Sequence, residues 1–150
     1  MPHRDDDIGA VQMTEFWKPY PLKPNYLISN YGRVFNIDRG NQLKLYLRKE
    51  YPSFTFNIGG VRKNTYVHRA VALTHLDLPC PSFLRTELWE QFTYKEKFDF
   101  YYTHGDIDHI DRNRQNAKAS NLRWTTPSDN FKNTNMYESY NGIWTEGISK

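Results

Sequence analysis

The side chains best suited to chemistry are concentrated in one segment, residues 108–130, which reads DHIDRNRQNAKASNLRWTTPSDN. Asp108 offers a hard anionic oxygen, and Asn130 offers a neutral amide oxygen. Two such ligands with open positions suit Mg²⁺, which keeps several waters and accepts phosphate oxygens. His109 is largely neutral at pH 7, so its imidazole can take a proton from an attacking water. The segment therefore indicates a hydrolase that acts on phosphodiesters.

A β-hairpin followed by a helix is the structure that this segment predicts. It begins as a strand, DIDHID, continues as a polar loop and returns as a second strand, NLRWTT. Thr126 is a suitable N-cap for the helix, with Pro127 at the first helical position and an acid three residues after the cap. A hairpin packed on the first helical turn would place Asn130 beside Asp108 and His109. Because neighbouring strand residues point to opposite faces, local twist must bring the acid and the histidine to one phosphate.

Each of these residues also has an ordinary structural explanation. An Asp-His dipeptide occurs by chance, an Asn is often a turn former, and Asn130 could be an amide on a helix surface. Only the full set, in this order and spacing, is specific.

The full set resembles the His-Asn-His (HNH) endonucleases, in particular the phage and intron homing type. The upstream stretches VHRAVA and YLISNYGRVFNI, with Trp17 ahead of them, resemble the helix and the small N-terminal domain found in the same family. The resemblance covers roughly residues 16–79 and 105–135. It implies a ββα-metal site with one divalent ion, Mg²⁺, for which Mn²⁺ can substitute. The residues that carry it are Asp108, His109, Ile110, Asp111, Asn113, Asn116, Asn121, Leu122, Arg123, Trp124, Thr125 and Asn130.

The family motif also implies a role for each position. His109 would be the general base and Asp108 a metal ligand. Asn130 would be the second metal ligand, where other members have His, and Asn121 would complete the catalytic set by bracing the hairpin and the base. About 20 residues follow Asn130, so we expect no C-terminal helix-turn-helix for site selection. The N-terminal sheet or a partner would then supply specificity.

The charge distribution favours DNA as the partner. Segment 33–69 has eight Lys and Arg against two acids, segment 112–135 has five against one, and segment 77–111 has eight acids against three basic residues. This pattern is typical of a chain that grips a polyanion and holds a cation, although an unevenly charged surface is the simpler explanation. The candidate phosphate contacts near the site, chosen by charge and proximity, are Arg112, Arg114, Arg123 and Lys132.

Short strands separated by turn residues are predicted from Trp17 onward. NYG at 30–32 predicts a hairpin turn, and GG at 59–60 predicts another. LKLYLRK and SFTFNI alternate, which places Leu43, Leu45 and Leu47, then Phe54, Phe56 and Ile58, on the inward face. The outward face could lie on a phosphate backbone or be an ordinary amphipathic surface. Its candidate DNA contacts are Lys44, Arg48, Arg62 and Lys63, with Tyr46 among them.

Two helices are predicted in the middle of the chain. VHRAVALTHLDLP has helical spacing and is stopped by Pro79, and SFLRTELWEQF is a helix capped by Ser82. KFDFYYTHGD is predicted to be an aromatic strand or loop. A histidine on a helix is more often a packing residue than a catalyst, so His68 and His75 receive no role, and neither does the insert at 80–104.

The fold class that follows is α+β, with a small N-terminal antiparallel sheet, a helix and a ββα-metal module. The predicted divisions are a flexible arm at 1–15, a DNA-contacting β region at 16–67, a helix and insert at 68–104, a nuclease module at 105–140 and a tail at 141–150. Cys80 is the only cysteine, so a disulfide is excluded. The N-terminus lacks the apolar stretch of a signal peptide and no apolar run is long enough for a membrane helix, which predicts a cytoplasmic protein, in the host cell if phage-encoded.

Three classes of function are compatible with these features. The first is a metal-dependent DNA endonuclease that acts as a monomer, with a dimer or a protein partner as alternatives. The second is a DNA-binding module that keeps the fold without cutting. The third is a zinc-holding structural protein, which irregular spacing and the lack of Cys pairs disfavour. Its ligands would be His68, His75, His104 and His109.

Overall fold

The computed structural model describes residues 14–125, which form nine strands, three α-helices and one short 3-10 helix. These residues divide into two units, one of residues 14–76 with 107–123 and the other of residues 77–106 with 124 and 125. The mixture of antiparallel sheets and helices confirms the α+β class. None of the described helices is long and apolar enough to cross a membrane.

The first unit begins with a four-stranded antiparallel sheet in the order β1-β2-β3-β4. The predicted hairpin at Asn30-Tyr31-Gly32 is confirmed: it joins β2 to β3, and Gly32 has a φ of +93°, which a residue with a Cβ rarely adopts. The strands are β1 (Trp17–Tyr20), β2 (Lys23–Ser29), β3 (Val34–Asn36) and β4 (Asn41–Gln42).

A separate three-stranded antiparallel sheet follows, where the sequence predicted a single small sheet. It consists of β5 (Tyr46–Arg48), β6 (Tyr51–Ile58) and β7 (Val61–Tyr66). Phe54 and Phe56 are buried, as their alternation predicted. The Gly59-Gly60 turn has positive φ at both glycines, the conformation that a tight two-residue hairpin requires.

The leucine-rich stretch before β6 was predicted wrongly. Only its last residues, from Tyr46 onward, form a strand. Leu43 and Leu45 pack against the core, whereas Leu47 is 58% exposed. The physical reason is that the first two leucines lie in the connection between the sheets, so the alternation does not extend along one continuous strand.

Helix α1 (Val67–His75) covers the two sheets of the first unit. It contacts β1, β2, β6 and β7, and it ends at His75, ahead of the predicted stop at Pro79. Its buried residues Val67, Ala70 and Val71 join the aromatic residues of the sheets in one core, and Ala72 and Leu73 are also buried.

A two-stranded sheet positions the candidate chemistry. It consists of β8 (Asp106–His109) and β9 (Leu122–Thr125), with a short 3-10 helix (Ala119–Asn121) ahead of β9. Ala117 and Leu122 are buried in the core of the first unit. The loop is also tied to the N-terminal hairpin, because the Ala119 N–H donates to the Asn30 carbonyl at 2.8 Å.

The second unit contains helices α2 (Thr86–Trp89) and α3 (Tyr94–His104) around a core of Leu84, Trp89, Phe100 and Tyr101. Two predictions fail here. The N-cap of α2 is Arg85 and not Ser82, and the stretch predicted to be an aromatic strand or loop is helix α3. Helix α3 begins with a capping box, in which the Thr93 hydroxyl accepts from the Glu96 N–H and the Glu96 carboxylate accepts from the Thr93 N–H.

Candidate active site

Adjacent residues at the end of β8 differ sharply in their exposure. His109 is 9% exposed and faces the interior of the first unit, whereas Asp108 is half-buried and reaches solvent. This is the strand alternation that the sequence indicated. The pair thus combines a carboxylate accessible to a ligand with an imidazole held against the protein.

The carboxylate of Asp108 is paired with a cation from the opposite strand. One of its oxygens, Oδ2, accepts from Nε of Arg123 at 3.0 Å and lies 2.8 Å from Nη2 of the same guanidinium. Both side chains are substantially exposed, so the pair contributes little to stability. It does place the positive charge of Arg123 next to the only carboxylate predicted to bind a metal.

His109 lies in a cluster of aromatic and imidazole rings. Its ring centroid is 4.8 Å from that of His68, in an edge-on arrangement, and 5.6 Å from that of Tyr51. Burial lowers the pKa of His109, while the charges of Asp111 and Asp108 act in the opposite direction. The imidazole is therefore neutral at neutral pH, the form that can accept a proton.

Asn121 organises the loop that follows His109. Its amide nitrogen donates to Oδ1 of Asp111 and to the carbonyl of Asn116, both at 2.9 Å, and its Oδ1 accepts from the Asp111 N–H at 3.0 Å. Its carbonyl accepts from the Ile110 N–H at 2.8 Å. Hydrogen bonds from Asn116 and from the Asn113 N–H lower the pKa of Asp111. Asn121 thus braces the loop, while the groups in ring contact with His109 are His68 and Tyr51.

The basic residues predicted to contact phosphates have different surroundings. The Arg114 guanidinium lies 5.4 Å from the Tyr51 ring and that of Arg48 lies 5.2 Å from the Tyr66 ring, so both flank the ring cluster. Arg112 is exposed on the loop with a φ of +63°, a conformation unusual for a residue with a side chain.

Two more of these basic residues line a polar groove of 530 Å³. Lys44 and Arg62 line it together with Arg39. The register explains why Arg62 does so: it pairs with Asn57 on the face opposite Phe56, and its guanidinium donates to the Thr55 hydroxyl at 3.2 Å. Lys63 pairs with Phe56 and is exposed, and neither it nor Arg48 is among the residues that line the groove.

Asn130 and Lys132, like the helix predicted from Thr126, lie outside the described residues. Within residues 14–125, no three His, Cys, Asp or Glu side chains cluster in a way that could hold a metal ion. The donor that the described part supplies is the carboxylate of Asp108, a hard oxygen open to solvent. This donor fits Mg²⁺, which is commonly bound through one or two carboxylates and keeps its waters.

His68 and Tyr51 are the residues of the site that sequence reasoning missed. His68 was assigned to packing because it is a histidine on a helix. The sequence feature that could have identified His68 is its position two residues after Tyr66. The two rings stack with their centroids 5.4 Å apart, and together they continue the side-chain alternation of β7 into the first turn of α1.

Two family models match the chain. The HNH endonuclease model matches residues 103–132, which include both strands of the hairpin. The NUMOD4 motif model matches residues 15–58, which include the four-stranded sheet and most of the next one.

Three relatives found among known proteins are named as endonucleases, and two of these names include HNH. The chain is 32% identical over 116 residues to the H-N-H endonuclease F-TflII of Escherichia phage T5 and 30% identical over 127 residues to the DNA endonuclease I-HmuI of Bacillus phage SP01. An uncharacterized HNH endonuclease of Acanthamoeba polyphaga mimivirus is 30% identical over 131 residues. The matches cover 77%, 84% and 87% of this chain but only 50%, 60% and 32% of the respective relatives.

A solved structure also matches, that of the HNH homing endonuclease I-HmuI, described as showing DNA binding and cleavage. The TM-score is 0.52 and the identity 28%, and the match covers 83% of this chain and 60% of that one.

Proposed function

The chain belongs to the HNH endonuclease family, and from this premise we propose that it hydrolyses phosphodiester bonds in DNA. The observation that carries the proposal is the end of β8, where a solvent-facing carboxylate, Asp108, adjoins the buried neutral imidazole of His109. These are the two groups that a metal-assisted hydrolase needs side by side, a hard oxygen ligand and a base.

His109 is the proposed general base. Its imidazole removes a proton from the water whose oxygen bonds to the phosphorus, the P–O bond to the leaving oxygen breaks, and that oxygen takes up a proton from solvent water. Its neutral state at neutral pH follows from burial. Asn121 acts indirectly, because its hydrogen bonds to Asp111 and Asn116 fix the loop at the end of the strand that carries His109.

Asp108 and Asn130 are the proposed protein ligands of one Mg²⁺, with Mn²⁺ as a substitute. The carboxylate of Asp108 contributes charge and reaches solvent, and the position of Asn130 rests on the family motif alone. A divalent ion bound there stabilises negative charge on the phosphate and on the leaving oxygen.

The proposed contacts to the DNA backbone fall into two groups. Arg48 and Arg114 flank the rings around His109, so each can bind a phosphate next to the one that is cleaved. Lys44 and Arg62 line the polar groove, where they can follow the backbone away from the site. These contacts read no sequence by themselves. The remaining candidates are Lys63, Arg112, Arg123 and Lys132.

A chain with one such site cleaves one strand at a time. We therefore propose nicking as the elementary reaction of a monomer, and a double-strand break would require two copies or two successive nicks. The alternative function is a DNA-binding module without cleavage, and the experiment below separates the two.

The test is incubation of the purified chain with supercoiled plasmid in Mg²⁺, in Mn²⁺ and in excess chelator. The expected result is conversion to the open-circular form with either ion and none with chelator. Nicking that persists undiminished in chelator contradicts the proposed site. Plasmid that is retarded in a gel but never nicked with either ion identifies the non-cleaving module.

A further inference from the structure

We propose that His68 is a positioning residue that fixes the orientation of the His109 imidazole. The inference rests on the proposed role of His109 as the base. It rests further on the ring pair itself, whose centroids are 4.8 Å apart with an interplanar angle of 63°.

Both rings are buried, so their contact belongs to the packed interior of the first unit and not to its surface. His68 and His109 are each 9% exposed. Each also has one ring nitrogen, Nδ1 of His68 and Nε2 of His109, that is fully buried and makes no hydrogen bond within the described part of the chain. A buried polar atom usually has a partner because leaving it alone costs free energy. The two nitrogens make no direct hydrogen bond to each other, and their presence on adjoining rings points to a polar link through one water.

The surroundings hold His68 firmly in place. Its ring stacks on Tyr66 at 5.4 Å and contacts Tyr51 at 4.7 Å, and its backbone lies in the first turn of α1. Tyr51 also contacts His109 at 5.6 Å, so the rings form one packed group. An imidazole anchored on three elements can orient a base on a fourth, as general bases in hydrolases are commonly oriented by another side chain.

The ionisation state of His68 agrees with this role. Burial, with smaller effects from the charges of His109 and Arg69, lowers the pKa of His68 to about 4. At neutral pH the His68 ring is therefore uncharged and adds no positive charge beside His109. No other ionisable group is in ring contact with His68 apart from Tyr51, Tyr66 and His109 among the described residues.

The test compares His68→Asn with His68→Phe in the full chain. Asn places an amide atom where Nδ1 lies, whereas Phe keeps a ring but has no polar atom. In the plasmid assay we expect His68→Phe to lower kcat by about 10–100-fold with little change in KM, the usual loss when the partner of an active group is removed. When the loss is expressed as a change in log kcat, His68→Asn should recover at least half of it.

The matched control is His75→Asn, which removes a second histidine of α1, one that is half-buried. His75 bonds to the Ile28 carbonyl at 2.7 Å, away from His109, so kcat should stay within about two-fold of the wild type. Full activity in His68→Phe overturns the proposal, and so does equal loss in His68→Asn and His68→Phe.

A second readout does not depend on cleavage. Imidazole ¹H–¹⁵N spectra of the wild type should show one tautomer for His109, and His68→Phe should shift its ring nitrogens and mix the tautomers. Unchanged His109 signals in a folded variant overturn the proposal. Because this measurement needs no activity, an inert wild-type chain would contradict the proposed function without deciding the ring contact.

Discussion

The Asp108 carboxylate is bound by the Arg123 guanidinium through Nε at 3.0 Å and Nη2 at 2.8 Å, across the two strands of the hairpin. Asp108 is also the proposed metal ligand, so a divalent ion bound there would compete with Arg123 for the same oxygen. The exposed ion pair is worth at most about 1 kcal/mol, which a divalent ion can overcome. If Asp108 held a divalent ion, Arg123 would be displaced from the carboxylate and would be available to contact a phosphate.

The first prediction concerns this competition. Arg123→Gln should bind Mn²⁺ about 2–5-fold more tightly than the wild type in the absence of DNA, because less than about 1 kcal/mol is needed to displace an exposed guanidinium. Titration calorimetry or Mn²⁺ EPR measures this affinity directly. Arg114→Gln is the control, since Arg114 lies over Tyr51 and not on Asp108. Equal Mn²⁺ affinity in Arg123→Gln and in the wild type would show that the ion pair does not compete with the metal.

The limits of sequence reasoning are clearest in helix α3. FDFYY has the aromatic content of a strand, which favoured a strand or loop, and the prediction did not use the capping signal ahead of it. In the structure Phe98 and Tyr101, three residues apart, are both buried, as on one face of a helix. Thr93 and Glu96 form the capping box that begins it. A capping signal ahead of spaced aromatics therefore predicts a helix better than composition does.

The second prediction tests that capping box. Thr93→Ala should reduce the free energy of unfolding by about 1 kcal/mol, because the variant loses the side chain that accepts from the Glu96 N–H. Urea denaturation followed by circular dichroism measures the change. Thr103→Ala, at an exposed position of the same helix, should be neutral or slightly stabilising. Similar losses in the two variants would rule out a specific contribution of the cap.

The local and the long-range parts of the site differ in how far they can be predicted. The Asp108–His109 pair and the hairpin around it follow from residue types and strand alternation over a few residues. The contact of His109 with His68 joins β8 to α1, and no local pattern encodes it. The sequence signal at His68 was only its alternation with Tyr66, which is too short to distinguish a functional position from ordinary packing.

The third prediction concerns Asn121, whose amide bonds to Asp111 and to Asn116. Asn121→Ala should lower the free energy of unfolding by about 2–3 kcal/mol, because the variant loses three hydrogen bonds made by a buried side chain. Denaturant unfolding measures it. Asn113→Ala removes an exposed loop amide that accepts from the Gln115 N–H, and it should cost less than about 1 kcal/mol. A similar cost for both variants would show that Asn121 does not brace the loop.

The fourth prediction concerns pH. The folded pKa of His68 is about 4, below its ordinary value, so the unfolded chain binds more protons between about pH 4 and 6.5. The stability that neutral His68 contributes is complete above pH 6.5 and is lost as the pH falls towards 4. Between pH 6.5 and 5 the loss attributable to this residue is at most about 2 kcal/mol.

Unfolding of the wild type and of His68→Phe at pH 5, 6 and 7 measures this effect. The variant should lose stability less steeply on acidification. His75 and His104 also have lowered pKa values and remain in both proteins, so their contribution cancels, and the comparison reports His68 together with its effect on the adjoining His109 ring. Parallel stability curves for the two proteins would exclude His68 as a source of the acid sensitivity.

The fifth prediction separates cleavage from binding. His109→Ala should lower the rate of plasmid nicking by about 10²–10⁴-fold, because the water then lacks a positioned base. DNA affinity, measured by fluorescence anisotropy, should stay within about three-fold, since the positive charges that bind phosphates are unchanged. His104→Gln, in the second unit, is the control and should match the wild type in both assays. Nicking at the wild-type rate by His109→Ala would remove His109 as the base, and a parallel loss of binding would make its role structural.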